Sequence, residues 1–223
     1  MNSTAIARSL GTGTDLLVAR ASRNYVSRYD VFVAPSCLGT AELRMVQSGF
    51  DAYFGINVKR WVTLGTDYSI FQGHSDLLPQ LLTPPLQRAL ASAILPGTHL
   101  FLPFDSNAFT FAAGPQFNIR RLRRVTFLMR PAGGAVHETI VLKPKDPIST
   151  ALIGQLIPTH KKSDLTIFYG IGGGLELNLS RHTAIRLTAD FVHMNLYSDV
   201  LAKGENSMRI SIGPVFHFGK NVQ

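Results

Sequence analysis

The chain has 223 residues, a net charge of +8, a single cysteine and only 16% charged residues. That charged fraction is below the roughly 25% usual for soluble globular domains, and no run approaches the ~18 consecutive apolar residues of a membrane-spanning helix. A lone Cys37 excludes an internal disulfide and a thiolate metal cluster, and one domain can consume the whole length, so a membrane location would have to be achieved with strands.

Residues 1–28 are expected to form a poorly ordered N-terminal segment. Arg8 and an Ala19-Arg20-Ala21 that mimics a cleavage site flank an apolar stretch too short for a secretory h-region. The expectation is therefore a chain that is truncated or wrongly started, with the signal peptide encoded upstream. A first, weakly patterned strand is expected over Tyr29 to Cys37. From Gly49 the alternation of apolar and polar residues at period 2 becomes clear. Phe50, Ala52, Phe54, Ile56 and Val58 oppose Asp51, Tyr53, Gly55 and Asn57; after a tight Lys59-Arg60 turn, Val62, Leu64, Thr66, Tyr68 and Ile70 oppose Thr63, Gly65, Asp67 and Ser69. Further runs follow at Phe109 to Ile119, Ile167 to Leu179, Ile185 to Phe191 and Ser207 to Phe218, with a second weak strand from Val125 to about Val136. Each clear run is roughly 10 to 13 residues, closer to the ~9 to 11 of a tilted membrane strand than to the 5 to 6 typical of soluble sheets. Prolines 115, 131 and 214 each remove a ladder donor, and local bulges are the expected accommodation.

Connections alternate in length. Short turns are expected near Lys59-Arg60, at Arg120 to Arg124 and at Ser180-Arg181-His182, against long loops over 38–47, 73–107, 137–165 and 197–206. Short turns on one rim and long loops on the other characterise bacterial outer-membrane barrels. In the second long loop, Thr83-Pro84-Pro85 followed by Leu86, Leu90, Ala93 and Ile94 reads as a capped amphipathic helix ending at Pro96-Gly97. The fold class that emerges is all-β: a closed antiparallel up-and-down transmembrane β-barrel of about eight strands over 29–219, with this short helical insertion and a tail at 220–223.

The polar face separates a membrane barrel from a soluble one, since both have one apolar face. Here it is rich in Gly, Ser, Thr and Asn, and all seven lysines fall in the expected turns, loops or tail, leaving every strand lysine-free. Its charges are Asp51, Asp67, Arg130, Glu176, Arg186, Asp190 and Arg209, four acids against three arginines. Near balance is what pairing inside a narrow lumen requires, and an eight-stranded interior is just filled by side chains, so a plugged lumen is expected. Aromatic residues gather toward strand ends, with Trp61, Phe117, Phe216 and Phe218 near the short turns and Tyr68 and Phe71 toward a long loop, as membrane-interface girdles would. Arg120, Arg121, Arg123 and Arg124 form a basic turn expected at the periplasmic rim, where arginines meet phospholipid phosphates; a nucleic-acid role is not expected of one turn without a groove.

With the strands placed, FDAYFGINVKRWVTLGTDYS, FTFAAGPQFNIRR, YGIGGGLELNLSRHTAIRLTADF and MRISIGPVFHFG resemble the outer-membrane β-barrel domain family, the small OmpA/OmpX-type eight-stranded barrels, particularly acidobacterial-like versions. The resemblance covers about residues 29 to 219 and implies an outer-membrane location, outer-membrane lipids and the barrel-assembly machinery as partners, a monomer, and a possible surface ligand at the long loops. It implies no enzyme activity. One departure is the tail beyond Phe218, where many relatives end at an aromatic residue.

Two alternatives remain open. A lipid-modifying outer-membrane hydrolase would need a histidine with a serine two residues on; His193-Met194-Asn195 lacks that serine, and neither Ser198 nor Ser207 has a base placed beside it by sequence. A soluble periplasmic ligand-binding barrel is the other. The seven histidines show neither HExxH nor a close pair, so no metal or cofactor is expected. YGIGGG lies in a strand-period run, where lumen glycines would make space for facing arginine or aromatic side chains.

Overall fold

The computed structural model describes residues 25–41, 43, 45–93, 102–122, 124–145, 150, 159–202 and 204–222. Residues 1–24, Arg123 and the segment 94–101, which holds the expected helix end at Pro96-Gly97, lie outside the described residues. Eight strands run in chain order: β1 (Tyr29–Thr40), β2 (Met45–Lys59), β3 (Val62–Asp76), β4 (Pro103–Ile119), β5 (Val125–Leu142), β6 (Lys161–Asn178), β7 (Thr183–Met194) and β8 (Glu205–Phe218). Each pairs antiparallel with its neighbour in sequence, and β1 closes on β8 with Tyr29 opposite Phe218, giving a closed barrel. The insertion between β3 and β4 carries a 3-10 turn (Pro79–Leu81) and helix α1 (Pro84–Ala93), begun by a Gln87 N–H to Thr83 carbonyl bond of 3.0 Å.

The alternation of the sequence becomes an alternation of faces. Phe50, Leu64, Phe111, Ile167, Ile171, Phe191 and Ile212 point outward and are all more than half exposed. Asp51, Thr63, Ser69 and Ser207 on the opposite face are fully buried. A row of exposed large apolar side chains on consecutive strands is intolerable in water and favourable in hydrocarbon.

The strands are longer than the sequence suggests, from 12 residues in β1 to 18 in β5 and β6. The first three long connections accordingly shrink to 41–44, 77–102 and 143–160, and the fourth keeps its length but shifts to 195–204, correcting all four expected loop ranges. The extra residues lie above the apolar belt. A tilted strand crosses a bilayer with about 9 to 11 residues, so β5 and β6 project roughly seven beyond it. There polar side chains enter the outward face, with Gln72, His74, Asp76, His137 and Ser163 exposed or partly so beside Val46 and Leu165, and the interior turns apolar around Phe104, Leu142, Phe168 and Met194. Polarity thus inverts along the barrel axis. Lys161 and Lys162 begin β6, and Lys59 ends β2, against the expectation of lysine-free strands: at either rim the strand ends reach beyond the hydrocarbon.

The prolines are accommodated without bulges. Between β4 and β5 the ladder is interrupted from Ala113↔Gly133 to Phe117↔Met129 with no change of register, and Pro115 and Pro131 fall in that gap. Pro214 sits in the same kind of gap between β1 and β8, from Phe32↔Val215 to Ser36↔Ser211, with Pro35 on the facing strand. Among the described residues the register shifts elsewhere, between Asn57 and Lys59.

Glycine makes room where a bulky side chain fills the lumen. A Cβ at Gly55 or Gly65 would run into the Tyr53 ring, and one at Gly172 into the Asp190 carboxylate. The glycines of YGIGGG therefore clear space at Gly172 for a carboxylate rather than for an arginine or aromatic ring. Gly65→Leu is expected to destabilise the folded barrel by about 1–3 kcal/mol through this overlap. A lowered urea midpoint in lipid vesicles measures it, and an unchanged midpoint would show that Tyr53 can move aside.

Candidate functional site: the lumen and its two mouths

All seven charged residues expected on the polar face point into the lumen and are buried. The strand register gathers five of them into one central layer. Arg130 on β5 grips Asp190 on β7 with two bonds, Nε to Oδ1 at 2.9 Å and a terminal nitrogen to Oδ2 at 2.5 Å, and reaches Asp67 on β3 at 3.0 Å. Arg209 on β8 donates to Asp190 Oδ2 at 3.0 and 2.7 Å, to Asp67 Oδ1 at 2.6 Å and to Ser69 Oγ at 2.6 Å. Asp51 lies 3.8 Å from Arg209 and accepts hydrogen bonds from Ser69 at 3.2 Å and Ser211 at 2.9 Å. Two guanidinium groups thus share three carboxylates, and the side chains that bond them span the ring from β2 to β8.

The other two, Glu176 and Arg186, form a second layer nearer the short turns. Arg186 bonds Glu176 Oε2 at 2.9 and 2.6 Å, and its guanidinium carbon stands 5.5 Å from the Phe32 ring centre and 5.2 Å from that of Tyr53. Arg130 approaches the same Tyr53 ring at 5.7 Å, so this tyrosine links both charged layers. Stacking on aromatic faces suits arginine because its planar cation is weakly hydrated.

Sequence reasoning missed several members. Asp30 accepts from Asn57 at 2.8 Å and contacts His217 Nδ1 at 2.8 Å, and Asn57 accepts from Thr63 at 2.6 Å, which in turn accepts from Asn118 at 2.7 Å. Asp30 belongs to the weakly patterned first strand, where parity counted back from Cys37 would have found it. Toward the long-loop end Glu138 accepts from Ser106 and from Gln47, the latter at 3.3 Å. Glu138 and the buried Glu205 fell inside expected loops, so no strand parity was assigned to them.

At the long-loop mouth an apolar cap sits over this last layer. Leu43, Leu102, Leu196, Tyr197 and Leu201 are buried together with strand residues Phe104 and Leu142. The β3–β4 insertion is tied across the mouth to the β7–β8 connection by a Leu82↔Leu201 bridge, a Thr83 N–H to Val200 carbonyl bond of 2.8 Å and an Ala202 N–H to Leu81 carbonyl bond of 3.0 Å. Burial, with the carboxylates of Glu138, Asp164 and Glu205 adding to it, raises the Tyr197 phenol well above its ordinary value and keeps it neutral.

At the short-turn mouth a cavity of about 540 Å³ opens among Arg60, Arg120, Arg121, Arg124 and Arg181. Arg120 bends back, donating to the Arg60 carbonyl and, at 3.4 Å, to Asn57 Oδ1. Burial pulls its guanidinium below the ordinary arginine value. The segments flanking β1 and β8 meet at this mouth: Val222 N–H bonds the Val26 carbonyl at 2.8 Å, and the Tyr25 hydroxyl bonds the Gly219 carbonyl at 2.7 Å.

Of the aromatic residues expected at the membrane interface, Trp61, Tyr68, Phe216 and Phe218 are exposed, and Phe117 stacks on Trp61 with ring centres 6.2 Å apart. Phe71 is a correction: it is 1% exposed and packs in the lumen with Leu38 and Ala108. Its odd number along β3 places it on the face of Asp67 and Ser69, which the alternation already implied. His193 points outward, its ring 5.5 Å from that of Tyr169 and its Nδ1 3.0 Å from Asn206 Oδ1, whereas Ser207 points inward and shares a hydrogen bond of 3.0 Å with Thr40. The histidine and this serine are on opposite faces of the wall.

A closed eight-stranded barrel with an apolar outer belt and a charged interior has the architecture of the small outer-membrane β-barrels. Solved structures of that architecture are similar to it. The attachment invasion locus protein Ail of Yersinia pestis, crystallised with the heparin analogue sucrose octasulfate, is 14% identical, with 86% of this chain and 97% of that one covered and a TM-score of 0.50. Neisserial surface protein A is 11% identical over 85% and 96% of the two chains with a TM-score of 0.51. OprG of Pseudomonas aeruginosa is 8% identical over 89% and 99%, also at 0.51. No family model and no curated protein matches the chain.

Removing Asp190 would leave two buried guanidinium groups short of their shared partner. Asp190→Ala is expected to cost about 3–5 kcal/mol, whereas Asp199→Ala, which breaks only an exposed pair with Lys162, should cost about 1 kcal/mol or less. Equilibrium unfolding in vesicles compares the two, and equal losses would show that the central layer is not a coupled unit.

Proposed function

We propose that the chain is an outer-membrane protein with a structural or surface-interaction role, not an enzyme, and that its lumen is closed by its own side chains. The observation that carries this reading is the stacking of two charged layers and an apolar cap inside a ring whose outside is apolar. At the central layer the cavity beside Asp67, Arg130 and Arg209 is about 20 Å³, enough for roughly one water molecule. A steady ion current needs a continuous water column, which these layers interrupt.

In this reading Trp61, Phe117, Phe216 and Phe218 lie at the periplasmic interface and Tyr68 toward the outer one, while Arg120, Arg121 and Arg124, with Arg123 outside the described residues, sit at the periplasmic rim. The projecting strand ends and the cap carry the surface role, holding loop segments clear of the lipid. The resolved likeness to Ail, whose structure holds a sulfated ligand, supports a binding role for this kind of scaffold. The apolar belt weighs against a soluble periplasmic barrel. The opposed faces of His193 and Ser207 weigh against a hydrolase built on that pair.

Planar-bilayer recording tests the closed lumen: insertion is expected to give no large, steady conductance, and such a conductance would overturn the reading. The membrane assignment has its own measurement, since Trp61 is the only tryptophan. Its emission should be quenched by lipids brominated near the headgroup more than by lipids brominated at the chain ends. Equal protection from both would place it outside the bilayer.

A further inference from the structure

The mouth at the short turns has features that neither a structural role nor a closed lumen requires. Its arginines come from three separate connections: Arg60 between β2 and β3, Arg120, Arg121 and Arg124 between β4 and β5, and Arg181 between β6 and β7. They surround one concave space rather than spreading around the outer rim. Among the described residues the side chains of Arg121, Arg124 and Arg181 make no ion pair. The acid at the floor, Glu176, is already held by Arg186. Also at the floor, His217 is 9% exposed, and its Nε2 is buried without a hydrogen bond, with Glu176 Oε1 3.5 Å away.

We propose that this vestibule binds a small multivalent anion of the phosphate class. Five guanidinium groups converging on one space repel each other and raise the local concentration of anions. Guanidinium forks match phosphate oxygens two at a time, and groups arriving from three turns reach different oxygens of one extended anion better than those of a single orthophosphate. The volume of about 540 Å³ lies within the roughly 300–1,000 Å³ of small-molecule sites. Asn178, Ser180 and Thr126 complete the wall with polar groups, and Tyr25 to Ser27 cover one side. Its lining joins residues of the turns to the buried, lumen-facing Thr126, Glu176 and His217, so the space lies inside the ring of turns rather than on the lipid-facing surface, which favours a soluble anion over a lipid headgroup. The inference does not depend on the closed lumen, because a conducting barrel would carry the same mouth.

Calorimetric titration of the refolded barrel in zwitterionic detergent at constant ionic strength, with tripolyphosphate, pyrophosphate and orthophosphate as probes, tests the proposal. Saturable one-to-one binding is expected, tightest for tripolyphosphate and weakest for orthophosphate. The triple variant R121Q/R124Q/R181Q should bind tripolyphosphate at least about 100-fold more weakly, since each removed charge-assisted contact is worth about tenfold or more. K143Q/K145Q, altered beyond β5 on the opposite side of the barrel, should bind as the parent does. Heat-modifiable gel migration verifies that each variant is folded. Absence of saturable binding, undiminished binding by the folded triple variant, or equal loss in the lysine variant would overturn the proposal. Repeating the titration in nanodiscs with phosphatidylglycerol replacing phosphatidylcholine distinguishes the sources. Competition by that lipid would support a headgroup as occupant, and unchanged affinity a soluble anion.

Discussion

Every backbone N–H and C=O within a hydrocarbon layer must find a partner on the protein, because no water is available to supply one. Closure of β1 on β8 meets that requirement for the whole ring, and most other features are consequences of it. A closed ring of eight strands has an inside too narrow to stay empty and an outside that must be apolar. The proline gaps are the places where the requirement is relaxed. Each has a proline on both facing strands, so fewer N–H groups are left to satisfy where the ladder is interrupted.

The interior then has to neutralise its own charge. Asp190 and Asp67 each hold both Arg130 and Arg209, so neither arginine depends on one partner. Tyr53 connects this layer to the Arg186–Glu176 pair by offering its ring to both Arg130 and Arg186, and Gly55 and Gly65 exist beside it because nothing larger fits. Aromatic ring, glycines and arginines are one packing unit distributed over β2, β3, β5 and β7.

Most of this was legible in the sequence within the apolar belt, where inner and outer faces differ sharply. Asp51, Asp67, Arg130, Glu176, Arg186, Asp190 and Arg209 were assigned to the lumen by parity alone. Legibility ended where polarity inverts. Above the belt the outward residues Gln72, His74 and His137 are as polar as an expected loop, and the inward Phe104 and Leu142 no longer alternate against an apolar exterior, so the strand ends read as loops and Glu138 and Glu205 were lost with them. Period 2 alternation reports a contrast between two solvents, and it fades where the contrast reverses. The vestibule was invisible for another reason: its arginines are far apart in sequence, and only ring closure brings Arg60 and Arg181 to the arginine turn between them.

The seam between β1 and β8 also bears on how the barrel forms. Its two strands are the first and last of the ring, Tyr29 against Phe218, the pairing of longest sequence separation in the ring. Every other seam joins consecutive strands and can zip from a turn or connection, while this one must await both the first and the last strand and carries the largest loop-closure entropy. The contacts of Val26 with Val222 and of Tyr25 with Gly219 continue the pairing past the last ladder residues. They act as a clasp on the slowest joint, so the tail beyond Phe218 contributes to keeping the ring shut once it has closed.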